Sequence, residues 1–384
     1  MKNTHKRYWA FSSTASLLLS LLLMYMFYSL DHLRDLKVLS GDGKVAKELM
    51  NEASIHKSLT KWRLTSVKND WPLKVVPTGL FIQSVRFESA SEVSLTGYIW
   101  QTYTDGVHDG ISRGFVLPES IDSADTAVQE EVYRKRVGSS ETIGWYFERN
   151  IRQSYSYKDF PFDYKTVHLR MWHNDFADNV VLTPALDSYK STDVMDIFGI
   201  DDSIALAGWN ILNTYYSYDF HDYDTNFGLS EYAGQEAFPE LNFNILVKRE
   251  ILNPLIIFLV PMLVVMALLF AILMATTLSS ETQDVSGFNV LSVYGAYSAL
   301  LFTVIIAHSS LRENYPVSEF FYIEYFYVLI YSIIVFLTLN THYCLSEGNR
   351  ITRWLHQDDH LMVKILFWPV SLFSLDLITF ITLF

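Results

Sequence analysis

The stretch Leu255–Met274 reads LIIFLVPMLVVMALLFAILM and contains no charged residue. As a helix, about 20 residues span ~30 Å, the thickness of the hydrocarbon core of a bilayer. Three further apolar stretches of similar length follow it, at Val285–Ala307, Tyr325–Leu345 and Ile365–Phe384. We therefore predict that residues 251–384 form an all-α bundle of four membrane-spanning helices.

A fifth apolar stretch, Tyr8–Leu30, follows the basic residues Lys2, Lys6 and Arg7. This pattern predicts a signal anchor or a signal peptide over residues 1–30, and the absence of a small-x-small cleavage site favours an uncleaved anchor. The loop carrying Arg350 and Arg353 is expected in the cytoplasm, because basic residues are retained on that side. Counting spans back from it places residues 31–250 outside.

Composition excludes several classes of protein. Half of the chain is apolar, and 29 basic against 42 acidic residues give a net charge of −13, which disfavours binding to nucleic acid. The single cysteine, Cys344, excludes an intramolecular disulfide and a multi-thiolate zinc site. No HExxH or P-loop motif occurs. We expect no enzyme activity, no catalytic residue, no bound metal and no cofactor.

Residues 72–250 have strand character. Apolar and polar residues largely alternate in Val93–Trp100 and Thr166–Trp172, which is the period of a strand with one face in a core. Phe81–Phe87 and Leu241–Val247 show the same pattern. Short strands separated by turn residues predict an antiparallel β-sandwich. The preceding residues 31–71, rich in Lys, Glu, Leu and Ala, predict a helical lead-in.

The sequence Asp159-Phe160-Pro161-Phe162-Asp163 resembles the FPFD signature of the pentameric ligand-gated ion channels, the Cys-loop receptor superfamily. Gln153 and Val167 stand where animal members have two cysteines, so the chain resembles the prokaryotic branch without that disulfide. Further landmarks occur in the family's order, at Pro77–Phe81, Tyr98–Asp105, Gly208-Trp209 and Arg249. The resemblance covers roughly residues 72–384. It implies a homopentamer in the bacterial inner membrane, with the sandwich in the periplasm.

The resemblance also implies which residues couple the sandwich to the pore: Glu88, Asp163 and Arg249, together with Phe160 and Pro161. A guanidinium between two carboxylates makes charge-assisted hydrogen bonds. Breaking such a group at a half-buried seam costs more than breaking an exposed ion pair. The competing interpretation is three unrelated surface charges.

Two stripes of the second bundle helix compete as the pore face. The periodicity of small and polar residues selects one stripe, namely Asn289, Ser292, Ala296, Ala299 and Thr303. The family register implies another, which we adopt, namely Leu291, Gly295, Ser298, Phe302 and Ile305. Phe302 and Ile305 would form an apolar constriction that closes by dewetting. Glu281 and Asp284 are the candidates for an acidic cytoplasmic mouth. Helix packing without conduction is the alternative.

The candidate ligand-binding residues are aromatic, and the resemblance implies that Tyr98 lies on the complementary face of the site: Tyr98, Trp172, Tyr223, Phe227 and Tyr232. Between Trp172 and Val247 there are 13 acidic residues and one basic residue, Lys190. Aromatic rings with carboxylates suit an amine or another cation. The alternatives are hairpin packing beside a solvated acidic face, and proton sensing by carboxylates and histidines.

The resemblance implies a homopentameric channel gated by a small molecule or by protons and conducting inorganic ions, and the acidic outer domain favours cations. Its partners would be membrane lipid, the ligand and the permeant ions. The alternative is a receptor of the same architecture that does not conduct.

Overall fold

The computed structural model describes residues 2–39, 49, 51–65, 73–123, 127–176, 178, 180–193, 196–229, 238–276, 290–343 and 357–384. The chain divides into two compact units. The helical unit comprises Met1–Lys37, Ser156–Asp163 and Glu250–Phe384, and the β unit comprises Val38–Tyr155 and Tyr164–Arg249.

The described part of the β unit contains two sheets. The first has the strand order β4-β5-β2-β1-β7, and the second has the order β3-β6-β9-β8. The strands are β1 (Lys74–Phe87), β2 (Glu92–Thr104), β3 (Phe115–Val116), β4 (Val128–Val137), β5 (Ser140–Arg152), β6 (Tyr164–His173), β7 (Val180–Pro184), β8 (Trp209–His221) and β9 (Phe238–Arg249).

The predicted antiparallel sandwich needs one correction, because β7 pairs with β1 in parallel, with Lys74 opposite Val180. Two strands joined by a tight hairpin must be antiparallel. No hairpin joins β7 to β1, because the chain enters β7 from β6 of the second sheet, so the two strands can pair in parallel. The four segments predicted as strands lie in β1, β2, β6 and β9.

The core of the β unit follows from the alternation in the sequence. Buried and half-buried residues alternate along all of β2 and all of β6. Val93, Leu95 and Ile99 from the first sheet and Val167 and Leu169 from the second belong to one apolar core. Burial of this area stabilises the unit by about 25 cal/mol for each Å² removed from water.

A polar cluster around Tyr103 is buried in the same unit. The Tyr103 hydroxyl donates to Oε1 of Gln101 at 2.6 Å, and the Arg113 guanidinium lies 4.1 Å from the centre of the Tyr103 ring. Nδ1 of His173 accepts the backbone N–H of Asp175 at 3.0 Å, while its Nε2 lies 3.3 Å from the Tyr103 oxygen. His173 is therefore held neutral, since a proton on Nδ1 would break the bond that this atom accepts.

Acidification is expected to destabilise the protein through His173. Burial lowers the pKa of His173 from 6.5 to about 4. Between these values the unfolded chain binds a proton that the folded chain refuses, so the free energy of unfolding falls with decreasing pH by up to about 3 kcal/mol. Thermal melting of the full chain and of His173→Gln, at several pH values, measures this loss. An identical pH dependence in both proteins would contradict it.

The lead-in and the anchor share one helix, because α1 runs without a break from Lys2 to Leu39. A second lead-in helix, α2 (Glu52–Thr65), lies in the β unit. The helical unit also contains α3 (Leu252–Ala275), α4 (Val290–Asn314), α5 (Glu324–Tyr343) and α6 (Gln357–Leu383). Five helices, α1 and α3 to α6, are long and apolar enough to cross a membrane, as the sequence predicts.

Helix α4 continues beyond the predicted apolar stretch, which ends at Ala307. Its last two turns carry His308 and Arg312, and both bind the buried carboxylate of Glu324 in the first turn of α5. Nε2 of His308 lies 3.0 Å from Oε1, and Nη2 of Arg312 donates to Oε2 at 2.6 Å. Because this carboxylate gives both side chains a hydrogen-bonding partner, the helix does not end where its hydrophobicity ends.

Candidate functional site

The FPFD loop, by which we mean Ser156–Asp163 with the motif at its end, is packed inside the helical unit. Phe160 is 0% exposed. The centre of its ring lies 4.8 Å from that of Tyr315, 5.7 Å from Phe258 and 6.2 Å from Phe321. The bond from Phe160 to Pro161 is cis. Aromatic contacts of this density make the loop part of a close-packed core rather than a surface turn.

Hydrogen bonds fix the loop to the segment between α4 and α5. The backbone N–H of Tyr322 donates to the carbonyl of Lys158 at 2.8 Å. One carboxylate oxygen of Glu319 accepts both the Ser156 hydroxyl and the backbone N–H of Tyr157, each at 2.8 Å. The loop therefore moves only if this segment moves with it.

The three charged residues predicted to couple the sandwich to the pore have the following surroundings. Glu88 pairs with Arg86, whose Nη2 lies 2.5 Å from the carboxylate. The two residues are neighbours at the β1–β2 turn, so this local pair forms with little ordering of the chain. Arg249 places its guanidinium 4.1 Å from the centre of the Trp209 ring, which faces it across the β8–β9 pair. Asp163 is buried.

The face of α4 that packs within the chain distinguishes the two proposed pore stripes. Val293, Tyr297, Val304 and Leu311 are buried, and they recur at helical spacing along one side. At about 100° per residue, the stripe from the family register lies on the opposite side of the helix. All of its members are exposed in the single chain: Leu291, Gly295, Ser298, Phe302 and Ile305.

The second stripe lies on the flank of α4, where Ser292, Ala299 and Thr303 are exposed and Ala296 is half-buried. Ser298 of the register stripe also lines a cavity of about 510 Å³ between α4 and α5. Asn289, Glu281 and Asp284 lie outside the described residues.

The structure brings three of the predicted ligand-binding residues together in an aromatic cluster. The ring of Trp172 lies 5.8 Å from that of Tyr223 and 6.4 Å from that of Phe227, and Phe176 completes the group. Phe227 adopts a φ of 52°, a left-handed conformation that is uncommon for a bulky residue. We call these four residues the aromatic cluster.

A buried carboxylate lies beside the aromatic cluster. Glu240 on β9 is 3% exposed and accepts the Tyr223 hydroxyl at 2.5 Å. Its other oxygen lies 3.3 Å from Nη1 of Arg170, whose Nη2 is 3.4 Å from Glu119. Arg170 therefore bridges two carboxylates, one next to the aromatic rings and one further along the sheet.

The pKa values of Glu240 and Glu119 are shifted in opposite directions. Burial raises the pKa of Glu240, and the hydrogen bond from Tyr223 with the charges of Arg170 and His221 only partly offsets this rise. Burial also raises the pKa of Glu119, but hydrogen bonding and charge from His168, with Arg170 and Gln153, outweigh it and leave that pKa lowered. Glu240 is thus the carboxylate that gains most from an additional cation.

Two predicted ligand residues are not part of this cluster. Tyr98 lies on β2 of the first sheet, where it faces away from the core and its ring lies 5.5 Å from that of Tyr146. Tyr232 lies outside the described residues. Within one chain, Tyr98 lies on the first sheet, whereas Trp172 of the aromatic cluster lies on β6 of the second sheet.

One motif with a catalytic spacing occurs, GxSxG at Gly110–Gly114. In hydrolases this serine stands at a strand-to-helix turn beside a histidine. Here Ser112 lies in the β2–β3 loop and donates to Asp175 at 2.7 Å, which is its only described side-chain partner. In the described part of the chain, no three His, Cys, Asp or Glu side chains are grouped to hold a metal ion.

Sequence reasoning missed the residues that receive the FPFD loop. Phe258, Tyr315, Glu319 and Phe321 contact the loop but lie far from it in the chain. The aromatic run Phe320–Tyr322 was a possible signal, because so many rings beside a membrane stretch need partners. Comparison of the sequence with protein-family models and with curated proteins finds no match.

Proposed function

We propose that the chain forms a homopentameric, ligand- or proton-gated cation channel in a bacterial inner membrane, with the β unit in the periplasm. The observation that carries this proposal is the FPFD loop. The loop connects β5 and β6, which belong to the β unit, yet its own residues are part of the helical unit. Such a loop can transmit a movement of two strands to a helical bundle.

The close packing around Phe160 would transmit a movement of the FPFD loop to the helices. Phe160 touches Phe258, Tyr315 and Phe321, so a displaced loop must carry the start of α3 and the end of α4 with it. Close-packed interiors transmit strain because they have no free volume to absorb it. A ligand that shifts β5 and β6 by a small distance would therefore bias the position of α4.

The exposed face of α4 supports a pore. Its register stripe lies opposite the packed face, so five copies around an axis would turn Leu291, Phe302 and Ile305 toward that axis. The side chains of Phe302 and Ile305 from five copies would form two apolar rings that exclude water when the helices close together. A small rotation of α4 would open them.

The aromatic cluster supports a cationic ligand. Rings attract a cation through their faces, and Glu240 supplies a buried carboxylate beside them; burial raises its pKa, and a bound cation would favour its charged form. Tyr98, on the other sheet, would join the site from the neighbouring copy, as the family resemblance implies.

Planar-bilayer recording of the purified full-length protein tests the channel. The outer side is stepped from mildly alkaline to acidic pH and then exposed to butylamine, and reversal potentials are read in a salt gradient. Discrete currents that reverse toward the cation potential support the proposal. If folded pentamers bind the amine but give no current, the non-conducting receptor is favoured. The absence of charged residues from the register stripe of α4 is the observation behind that alternative.

Arg249→Ala is expected to give folded pentamers that reach the membrane but do not open. The guanidinium stacks on the ring of Trp209, and loss of this contact costs about 1 kcal/mol of stability, while the substitution removes the cation that the resemblance assigns to coupling. Macroscopic current divided by surface protein measures the effect. Lys248→Ala is the neighbouring control and should gate. Normal gating of Arg249→Ala would contradict the coupling role.

A further inference from the structure

Helix α1 has a continuous inward face that a simple tether does not need. From His5 to Leu30, residues spaced alternately by four and three are buried or half-buried, with Ser12, Met26 and Leu30 the most buried. The opposite face carries exposed Tyr25 and Tyr28. This spacing is that of a helix packed along its length against protein.

One contact of α1 supplies a hydrogen-bond donor that α6 lacks. Pro369 lies inside α6 and has no N–H, so the carbonyl of Ile365, four residues earlier, lacks its intrahelical donor. The buried hydroxyl of Ser12 donates to this carbonyl at 2.6 Å. In an apolar surrounding an unpaired carbonyl costs several kcal/mol, and a serine on a neighbouring helix is one of the groups that can satisfy it.

The other end of α1 touches the FPFD loop. The ring of Phe27 lies 5.2 Å from that of Phe162, with an interplanar angle of 44°. Phe162 is buried and also lies 6.0 Å from the ring of Tyr322. The same helix therefore contacts α6 through Ser12 and the loop through Phe27.

We infer that α1 is a permanent fifth helix of the helical unit that completes the hydrogen bonding of α6 and braces the FPFD loop. Its residues are neither a removable leader nor a passive tether. Its control of gating rests on the proposed function, whereas its packing role does not. A displacement of α1 would release Phe162 and thereby change the position of the loop.

A double-mutant cycle on the full-length protein tests the contact with α6. Ser12→Ala should lower the melting temperature by roughly 2–4 °C, because the Ile365 carbonyl loses its donor. Pro369→Ala restores an N–H at position 369, so Ser12→Ala in that background should have little effect. Ser13→Ala, at an exposed neighbour, is the control. Equal effects of Ser12→Ala in both backgrounds, or no effect in either, would overturn the inference.

Cross-linking tests the contact with the loop. Because Cys344 is the only cysteine, Cys344→Ser provides a clean background for the pair Phe27→Cys and Phe162→Cys. A short bifunctional thiol reagent should link this pair, and the linked peptides are counted by mass spectrometry. Tyr28→Cys with Phe162→Cys is the matched control and should link at least tenfold less. Equal linking, or loss of residues 1–30 from the intact mass, would overturn the inference.

Recording from protein with the Phe27→Cys and Phe162→Cys pair linked tests whether α1 controls gating. If the protein conducts, the linked pair should shift the pH or amine concentration for half-maximal opening at least threefold, and the control pair should not. An unchanged response would overturn the regulatory role. If the protein is silent, the proposed channel fails, while the melting cycle and the cross-link still decide the packing role.

Discussion

Glu240→Gln is expected to weaken butylamine binding about a hundredfold. The substitution keeps the shape of the side chain and the bond with the Tyr223 hydroxyl but removes the charge next to the aromatic cluster. Loss of one member of a desolvated charge pair costs about 2–5 kcal/mol, and a hundredfold change corresponds to about 2.7 kcal/mol. Titration calorimetry on the purified protein measures the affinity.

The same substitution has a pH signature. Because the pKa of Glu240 is raised, its carboxyl takes up a proton at a higher pH than an ordinary glutamate. Amine affinity of the unmodified protein should therefore fall as the pH decreases, from a higher pH onward than an ordinary carboxylate would produce. In Glu240→Gln this decrease should disappear.

Glu119→Gln is the matched control for Glu240→Gln. It removes the carboxylate at the other end of Arg170 and leaves the contacts of the aromatic cluster in place. Amine affinity should change less than threefold. If both variants lose affinity equally, or if Glu240→Gln binds normally, the aromatic cluster and Glu240 do not form a cation site.

Phe160→Ala is expected to destabilise the helical unit by about 3 kcal/mol and to uncouple gating. The ring is fully buried against three others, and truncation of a buried Phe to Ala typically costs about 3–5 kcal/mol because a cavity remains. The melting temperature of the purified protein measures stability, and single-channel recording measures opening.

Two controls separate packing from coupling. Phe373→Ala removes an exposed ring from α6 and should change the melting temperature by less than 1 °C. Phe160→Leu fills most of the cavity, so it should recover most of the stability but only part of the gating, since it lacks the ring contacts with Tyr315. A Phe160→Ala protein with unchanged stability and gating would contradict the role of the FPFD loop.

Several features followed from the sequence by itself because they depend on neighbouring residues. Apolar stretches of about 20 residues predicted the five long helices, and the alternation in Val93–Trp100 and Thr166–Trp172 predicted the strands β2 and β6, along which buried and half-buried residues alternate. Periodicity is a local property, so it survives folding wherever one face of an element is buried.

Other features were set by residues distant in the chain. Glu88 was expected at Arg249 but pairs with Arg86, and α4 continues beyond Ala307 because Glu324 satisfies His308 and Arg312. The parallel pairing of β7 with β1 also had no local signal.

The contacts that matter most for the proposed function are of this second kind. The FPFD motif was visible in the sequence, but the rings of Phe258, Tyr315 and Phe321 that receive it were not. Pro369 and Ser12 can both be read in the sequence. Only the tertiary structure shows that the Ser12 hydroxyl donates to the Ile365 carbonyl, which lacks a donor because of Pro369. Side-chain partners are chosen by packing and by the need to satisfy buried polar groups, and both depend on which elements meet in space.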